Sequence, residues 1–155
     1  MDAIQMLTTQ HGEVEALFDK LDAETHEGDW RDLCGRLLDR LTMHAALEEE
    51  IFYPAVAELD GEQAQVDHAR AEHAAIARLL DGLRNPGLKK RQCDDRLREL
   101  RRTVEHHMAE EENDLMPRAR HRIGAATLDD LAQRMETRMH GGEGTELRRA
   151  AGSRS

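Results

Sequence analysis

The sequence predicts an all-α protein: an up-down-up-down four-helix bundle with a short C-terminal fifth helix. Charged residues make up 35% of the 155-residue chain and aromatic residues only 3%, so few strand formers are present. Apolar residues recur at helical spacing through four long segments that are separated by short breaks. The chain also repeats a motif, because His44-x-x-x-Glu48 returns as His107-x-x-x-Glu111, which is typical of a duplicated helical hairpin.

Each helix is predicted from an apolar stripe and from the residues at its ends. Asp2 suits the N-cap of the first helix, and Gly28 with Asp29 should end it. Pro54 is expected to kink the second helix or to loosen its last turn, and Pro86 should end the third. The four long helices are predicted over residues 2–27, 30–59, 62–83 and 89–121. The fifth is predicted from a stripe of leucines and methionines: Leu128, Leu131, Met135 and Met139.

These segments are expected to form one domain: the bundle over residues 1–124, the short helix over 125–140 and a disordered tail over 141–155. Cys34 and Cys93 are too few for a disulfide framework or a cysteine-based zinc site. Neither a secretory signal nor an apolar run of about 18 residues is visible, so a cytoplasmic protein is expected. The net charge of −10 argues against nucleic acid as a partner.

Six polar side chains occupy positions that the apolar stripes assign to the core. His11, for example, stands between Leu7 and Val14, at spacings of four and three residues. The six are His11, His44, Glu48, His73, His107 and Glu111. A buried carboxylate without a partner costs several kcal/mol, so two carboxylates inside a bundle require cations.

The alternative is a set of unrelated core histidines and surface glutamates. One His-x-x-x-Glu in a glutamate-rich helical protein is weak evidence, because it arises often by chance. Two such pairs in register with a duplicated hairpin, and two further histidines in register, favour a metal site instead. Because residues at i and i+4 share one helix face, each pair can reach one metal centre. The sequence therefore predicts a two-metal site inside the bundle.

At these residues the chain resembles the hemerythrin-like family, the HHE cation-binding domain, over roughly residues 5–120. The resemblance rests on a lone histidine, two His-x-x-x-Glu motifs that lead to proline, and a Glu-His pair: His11, His44 to Pro54, His107 to Pro117, and Glu72-His73. It implies a four-helix bundle around a non-heme di-iron centre with an oxo or hydroxo bridge. The resemblance also implies the ligands: His11 and His44 on one iron, His73 and His107 on the other, and Glu48 and Glu111 between them.

The chain departs from oxygen-carrying hemerythrins at two positions. Those proteins have a further histidine one turn before the third-helix histidine, where this chain has Ala69. They also have an aspartate five residues after the histidine of the last motif, where this chain has Glu111 at four. Loss of an imidazole leaves an open position on iron, which favours turnover of peroxide, oxygen or nitric oxide over reversible oxygen carriage.

Tyr53 is the only tyrosine, and it follows Glu48 in the turn before Pro54. Two interpretations of this residue stay open. In the first, its ring packs above the site. In the second it is catalytic: the phenolate binds iron in place of the missing imidazole, or it donates one electron.

Five other polar side chains lie close to the motifs. His68 and His106 fall off the core stripes and are expected at the surface. Glu72 is a candidate partner that would orient a ligand. Glu49 and Glu112 match in the repeat, and they suit either that role or a solvated edge of the helix.

The hypothesis that follows is a non-heme di-iron oxidoreductase that turns over hydrogen peroxide, with catalase- or peroxidase-like activity, or nitric oxide. An alternative is a protein that binds or senses iron, oxygen or nitric oxide without turnover. A third is a helical interaction module without metal. Imidazole and carboxylate ligands suit iron, manganese and zinc, so the choice of two iron ions rests on the resemblance. The expected partners are small molecules, without nucleic acid or membrane.

Overall fold

The computed structural model describes the backbone of residues 1–152 and the side chains of residues 1–141, and this part of the chain contains helices and turns but no strand. The helices are α1 (Ala3–Ala23), α2 (Glu27–Leu47), α3 (Tyr53–Ala57), α4 (Gln63–Leu83), α5 (Lys90–Glu110), α6 (Met116–Arg122) and α7 (Ala125–Gly152). Two π-helical turns join α2 to α3 and α5 to α6: Glu48–Phe52 and Glu111–Leu115. The predicted fold class is confirmed, since α1, α2–α3, α4 and α5–α6 form the bundle and α7 packs against it. In the described chain, no helix has both the length and the apolar character needed to cross a membrane.

The first helix begins where it was predicted to begin but ends earlier. The Asp2 carboxylate accepts a hydrogen bond from Gln5 N–H at 2.9 Å, and Gln5 Oε1 accepts one from Asp2 N–H at 2.9 Å. The predicted end near residue 27 is wrong, because the Glu24 carboxylate accepts from the backbone N–H groups of the next two residues and competes with the helix for them. Gly28, the expected break, lies inside α2.

Proline explains the two π-helical turns, which end just before Pro54 and Pro117. A proline has no N–H group to donate, and its ring clashes with the carbonyl four residues earlier in an α-helix. The backbone widens in response: Tyr53 N–H donates to the Glu48 carbonyl five residues back, and the equivalent bond closes the second turn. The loosening expected near Pro54 is thus a defined turn of π-helix that begins at a candidate ligand.

A buried polar layer divides the apolar core into two clusters. On α1, Leu7 belongs to one cluster and Val14 to the other, with the buried His11 between them. The same boundary runs through α2, α4 and α5 at His44, His73 and His107. Burial of one large aliphatic side chain contributes roughly 1.5–3 kcal/mol, so the two clusters hold the polar layer in place from both sides.

The fifth helix, α7, covers one end of the bundle. Its buried side chains Leu128, Leu131 and Met135 join the cluster that contains Leu7, and the helix contacts α1 and α2. It extends to Gly152, beyond the predicted end at residue 140. Of the tail predicted over 141–155, residues 153–155 and all side chains from 142 onward lie outside the described residues.

Candidate metal centre

The six histidine and glutamate side chains predicted as ligands lie together in the polar layer. Each is at most 6% exposed, and Glu48 is completely buried. The six come from all four long segments of the bundle: His11, His44, Glu48, His73, His107 and Glu111. They divide into two overlapping groups, each of which could hold a cation.

The first group joins α1 and α2 to both π-helical turns. His11 Nε2 and His44 Nε2 are 3.1 Å apart. Glu48 Oε1 lies 3.0 Å from His44 Nε2, and Glu111 Oε1 lies 3.5 Å from His11 Nε2. Two imidazole nitrogens and two carboxylate oxygens therefore converge on one point.

The second group consists of His73, His107 and the same Glu48. His73 Nε2 lies 3.0 Å from His107 Nε2 and 3.1 Å from Glu48 Oε1. Glu111 Oε1 lies 3.2 Å from His107 Nε2. Both carboxylates consequently stand between the two pairs of imidazoles, and Glu48 belongs to both groups.

Hydrogen-bond acceptors on the outer side of three imidazoles orient these rings. His44 Nδ1 lies 2.7 Å from Gln10 Oε1, and Nδ1 of His107 lies 2.9 Å from Glu72 Oε1. His11 Nδ1 has a similar outer contact, at 3.0 Å from a carboxylate oxygen of the second π-helical turn. An acceptor at Nδ1 holds the proton there and leaves the Nε2 lone pair directed inward, as in metal-binding histidines.

The inner atoms of the layer fit a metal centre. With the outer partners holding protons on Nδ1, inward lone pairs of His11 and His44 face each other at 3.1 Å, an arrangement that a proton or a cation must stabilise. Glu48 Oε2 and Glu111 Oε1 are buried without a hydrogen-bond partner in the described part of the chain, which costs free energy unless a cation is near. Imidazole nitrogen and carboxylate oxygen together suit iron, manganese or zinc.

The electrostatics of the layer agree with this fit. Burial would lower the pKa of His107, but its contacts with Glu111 and Glu48 outweigh burial and raise that pKa to about 11. The pKa of His11 is raised in the same way, against burial, chiefly by Glu111. Burial would raise the pKa of Glu48, yet the charge of His44 and neighbouring hydrogen bonds hold it well below 4.5. The two carboxylates thus demand positive charge, which protons or metal ions can supply.

Tyr53 reaches the second group rather than merely packing above it. Its hydroxyl donates to Glu111 Oε2 at 2.8 Å and lies 3.2 Å from His73 Nε2 and 3.3 Å from His107 Nε2. Burial and then the charges of Glu48 and Glu111 raise the pKa of the phenol, so it keeps its proton at neutral pH.

The π-helical turn explains how Tyr53 and Glu48 can both face the interior. In an ideal α-helix, residues five apart point about 140° away from each other. The wider turn brings them close to one face, and both are completely buried. Helical periodicity alone does not predict this, although Pro54 is a signal that the backbone changes nearby.

A cavity leads from the surface to the polar layer between α2 and α4. Its volume is about 390 Å³, and His44, His73 and His107 contribute to its inner wall. Most of the remaining lining is apolar, with several alanines, while Glu49 and Arg70 supply further polar groups. The cavity offers a route for small molecules to the imidazoles.

The flanking residues lie largely where the sequence predicted. The side chains of His68 and His106 are 59% and 67% exposed. Glu72 contacts a ligand candidate as anticipated, and Glu112 does the same, with its Oε1 3.0 Å from His11 Nδ1. Glu49 is more distant, with its Oε1 3.8 Å from His73 Nδ1.

Gln10 was not predicted to have a role. It precedes His11 in sequence, but its partner is His44 on the neighbouring helix. A contact between helices leaves no signal in the local pattern, so sequence reasoning had no means of finding it.

Comparison with known proteins adds to this geometry. Residues 2–119 match the family described as the hemerythrin HHE cation binding domain. The crystal structure of a hemerythrin HHE cation binding domain-containing protein from Mycobacterium kansasii is similar, with a TM-score of 0.80 and 26% identity over 95% of this chain and 90% of that one. A DNA nickase from Nostoc sp. strain PCC 7120 is 26% identical over 132 residues, which are 85% of this chain but only 37% of the nickase.

Proposed function

The chain belongs to the hemerythrin HHE cation-binding family, and from that premise we propose that it is a non-heme di-iron oxidoreductase that decomposes hydrogen peroxide. The two buried groups of histidine and glutamate side chains support a metal centre of two ions. The choice of iron follows the family resemblance, because the same donors also suit manganese and zinc.

The proposed ligands follow the two groups. His11 and His44 would hold one ion, His73 and His107 the other, and the two carboxylates between them would bridge. Supporting this division, the Nε2 atoms within each pair are 3.1 Å and 3.0 Å apart. Glu48 Oε1 lies 3.0 Å from the first pair, at His44 Nε2, and 3.1 Å from the second, at His73 Nε2.

One observation carries the proposal of turnover: the Tyr53 hydroxyl lies among His73, His107 and Glu111, on the side of the second ion. Oxygen-carrying relatives have a further imidazole there, and this chain has the buried Ala69 instead. The second ion would thus have one protein ligand fewer, which leaves a position for substrate. A protonated phenol would stand beside that position.

In the decomposition of hydrogen peroxide, one peroxide molecule is oxidised to dioxygen and releases two protons and two electrons. A second peroxide molecule takes up these protons and electrons and is reduced to two water molecules. When bound, the iron pair would supply the redox change. The protein would manage the protons: the Tyr53 hydroxyl holds one at 2.8 Å from Glu111 Oε2, from where it can be delivered to the reduced oxygen and replaced from the oxidised molecule.

The route to the centre favours small uncharged substrates. The cavity between α2 and α4 is mostly apolar and ends at His44, His73 and His107. A protein with a net charge of −10 repels anions, whereas hydrogen peroxide, dioxygen and nitric oxide are neutral and small. Nitric oxide is therefore the second substrate to examine at the same centre.

The test is dioxygen evolution from hydrogen peroxide by the iron-loaded chain, compared with the same concentration of free iron. We expect turnover above free iron, and loss of turnover in His44→Ala, which removes a proposed ligand. His121→Ala is the matched control, because it removes an exposed histidine from α6, outside the polar layer. An iron-loaded protein without turnover of peroxide or nitric oxide would overturn the proposal and leave binding or sensing as the function.

This chain spans only 37% of the length of the Nostoc protein that is named a DNA nickase. The net charge of −10 opposes binding to DNA phosphates. The buried centre, rather than that name, is therefore the basis of the proposal.

A further inference from the structure

A second, separate cluster of histidine and glutamate side chains lies on the surface where α4 and α5 run side by side. His68 and Glu72 are one turn apart on α4, and His106 and Glu110 are one turn apart on α5. None of the four is among the six side chains of the buried layer. We call this group the surface cluster.

The four side chains of the surface cluster approach each other closely. His68 Nε2 lies 3.1 Å from Glu110 Oε2 and 3.7 Å from Glu72 Oε2. His106 Nε2 lies 3.1 Å from Glu110 Oε1 and 3.7 Å from Glu72 Oε2. Ligand atoms of His68, Glu72 and Glu110 all lie within 4.8 Å of one another. Each carboxylate therefore stands between two imidazoles from different helices.

We propose that the surface cluster binds one divalent cation from solvent and delivers it to the buried layer. Two His-x-x-x-Glu pairs on adjacent helices supply imidazole nitrogen and carboxylate oxygen, the donors that suit ferrous iron, manganese and zinc. Water has access to the site, because the side chains of His68 and His106 are 59% and 67% exposed. Water would fill the remaining positions, so the cation would exchange readily.

Glu72 connects the surface cluster to the buried layer. Its Oε2 faces His68 and His106, while its Oε1 lies 2.9 Å from His107 Nδ1. The Glu72 side chain is only 16% exposed, whereas that of Glu110 is 41% exposed. A cation bound outside is thus one carboxylate away from a proposed ligand of the second ion. The delivery role rests on the proposed function, whereas binding at the surface does not.

Glu110 carries the charge that the site needs. Its side chain is 41% exposed, and each of its oxygens lies 3.1 Å from an imidazole nitrogen, Oε2 from His68 and Oε1 from His106. A cation between Glu72 and Glu110 would relieve the repulsion of two adjacent carboxylates.

The binding test is a zinc titration of the full, iron-loaded chain by calorimetry, with NMR of the histidine rings. We expect one additional zinc ion per chain and movement of the His68 and His106 signals. The double variant His68→Ala, Glu110→Gln should weaken this binding by at least the roughly 10-fold that loss of a supporting partner costs at a metal site. The control variant, His121→Ala with Glu58→Gln, removes an exposed histidine and an exposed glutamate elsewhere and should bind zinc as the wild type does.

Absence of the additional zinc ion in the wild type, or unchanged binding in the double variant, would overturn the site and leave four ordinary ion pairs. Failure of the buried centre is distinguishable, because it appears as a low iron content in wild type and variant alike. For the delivery role, metal-free protein is mixed with ferrous iron. We expect uptake about 10-fold slower in the double variant with the same final iron content, and an equal rate would refute delivery.

Discussion

Glu48 and Glu111 occupy matching positions in the two halves of the buried layer, yet their outer oxygens have different surroundings. Glu111 Oε2 accepts a hydrogen bond from Tyr53 at 2.8 Å, whereas Glu48 Oε2 has no hydrogen-bond partner among the described residues. The residue that matches Tyr53 in the second half is Met116, whose thioether cannot donate a proton; its sulfur accepts from Thr8 at 3.8 Å. The surroundings of two otherwise similar carboxylates therefore differ because one half of the repeat has a tyrosine where the other has a methionine.

The imidazoles differ between the halves as well. Both histidines of the first group have a close acceptor at Nδ1, at 3.0 Å for His11 and 2.7 Å for His44. In the second group His107 has one at 2.9 Å, but His73 Nδ1 has no hydrogen-bond partner in the described part of the chain. The repeat thus builds a symmetric frame, and the less constrained second half, beside Tyr53, is the place where chemistry is expected.

Replacement of the shared carboxylate should have the largest effect. Glu48 lies within 3.8 Å of Nε2 of three imidazoles, those of His44, His73 and His107, so Glu48→Gln should reduce the bound metal from two ions per chain to one or none and abolish turnover. Metal analysis by mass spectrometry, with dioxygen evolution, measures both. Glu50→Gln, which removes an exposed partner of Arg138, is the control. Full metal content in Glu48→Gln would show that the halves do not share this ligand.

Removal of iron should have the next largest effect. At free iron about 1,000 times the dissociation constant, binding stabilises the fold by about 4 kcal/mol. For a chain of this size that is a rise in Tm of roughly 8–16 °C. Calorimetric scans of loaded and metal-free protein measure the difference. Equal Tm values would mean that protons alone satisfy both carboxylates and that the layer is not a metal site.

The difference in Tm between iron-loaded and metal-free protein should change with pH in a definite direction. Contacts with the carboxylates raise the pKa of His107, against burial, from 6.5 to about 11, so its stabilisation is full below pH 6.5 and is lost as the pH rises toward 11. The pKa of Glu48 is lowered from 4.5, against burial, so its stabilisation is full above pH 4.5 and is lost at lower pH.

From the contributions of these two groups, we expect the metal-free chain to be most stable between pH 4.5 and 6.5. Metal binding requires the imidazole to lose its proton, so the rise in Tm caused by iron should grow from about pH 6 to about pH 8. Thermal scans across this range measure it. A rise that shrinks with pH would contradict the assignment of His107 as a ligand.

Tyr53→Phe isolates the difference between the halves. The ring remains, so packing is conserved, while the donor to Glu111 is lost. Turnover should fall roughly 100-fold, within the usual range for a positioned acid or base, and metal content should stay the same. Met116→Leu, the matched change in the other half, should alter turnover little. Equal turnover in Tyr53→Phe and the wild type would restrict the tyrosine to packing.

The smallest effects are expected from the outer partners. Glu72→Gln weakens a charge-assisted contact with His107 and should lower metal affinity about 10-fold. Gln10→Ala removes a neutral contact with His44, worth about 1 kcal/mol, and should lower it by several-fold. Metal competition with a chelator compares the two variants. A larger effect at Gln10 than at Glu72 would contradict this ranking of the two contacts.

The helical fold class and the set of interior residues can be predicted from the amino-acid sequence alone. Apolar spacing at the helical period assigns each side chain to a face, and the duplicated motif marks His44, Glu48, His107 and Glu111 as matching interior positions. The start of the first helix is predicted locally as well, because Asp2 caps it through hydrogen bonds with Gln5, three residues later. All of this depends on residues close together in the chain.

Which of these groups contact each other, by contrast, depends on how the helices pack in three dimensions. The sharing of Glu48 between two pairs of imidazoles and the contact of Gln10 with His44 depend on how helices pack, which local spacing does not encode. The position of Tyr53 depends in addition on a π-helical turn, where the backbone departs from the period on which the sequence pattern rests. A side chain five residues from the proposed ligand Glu48 then enters the site, because the turn there is one residue wider.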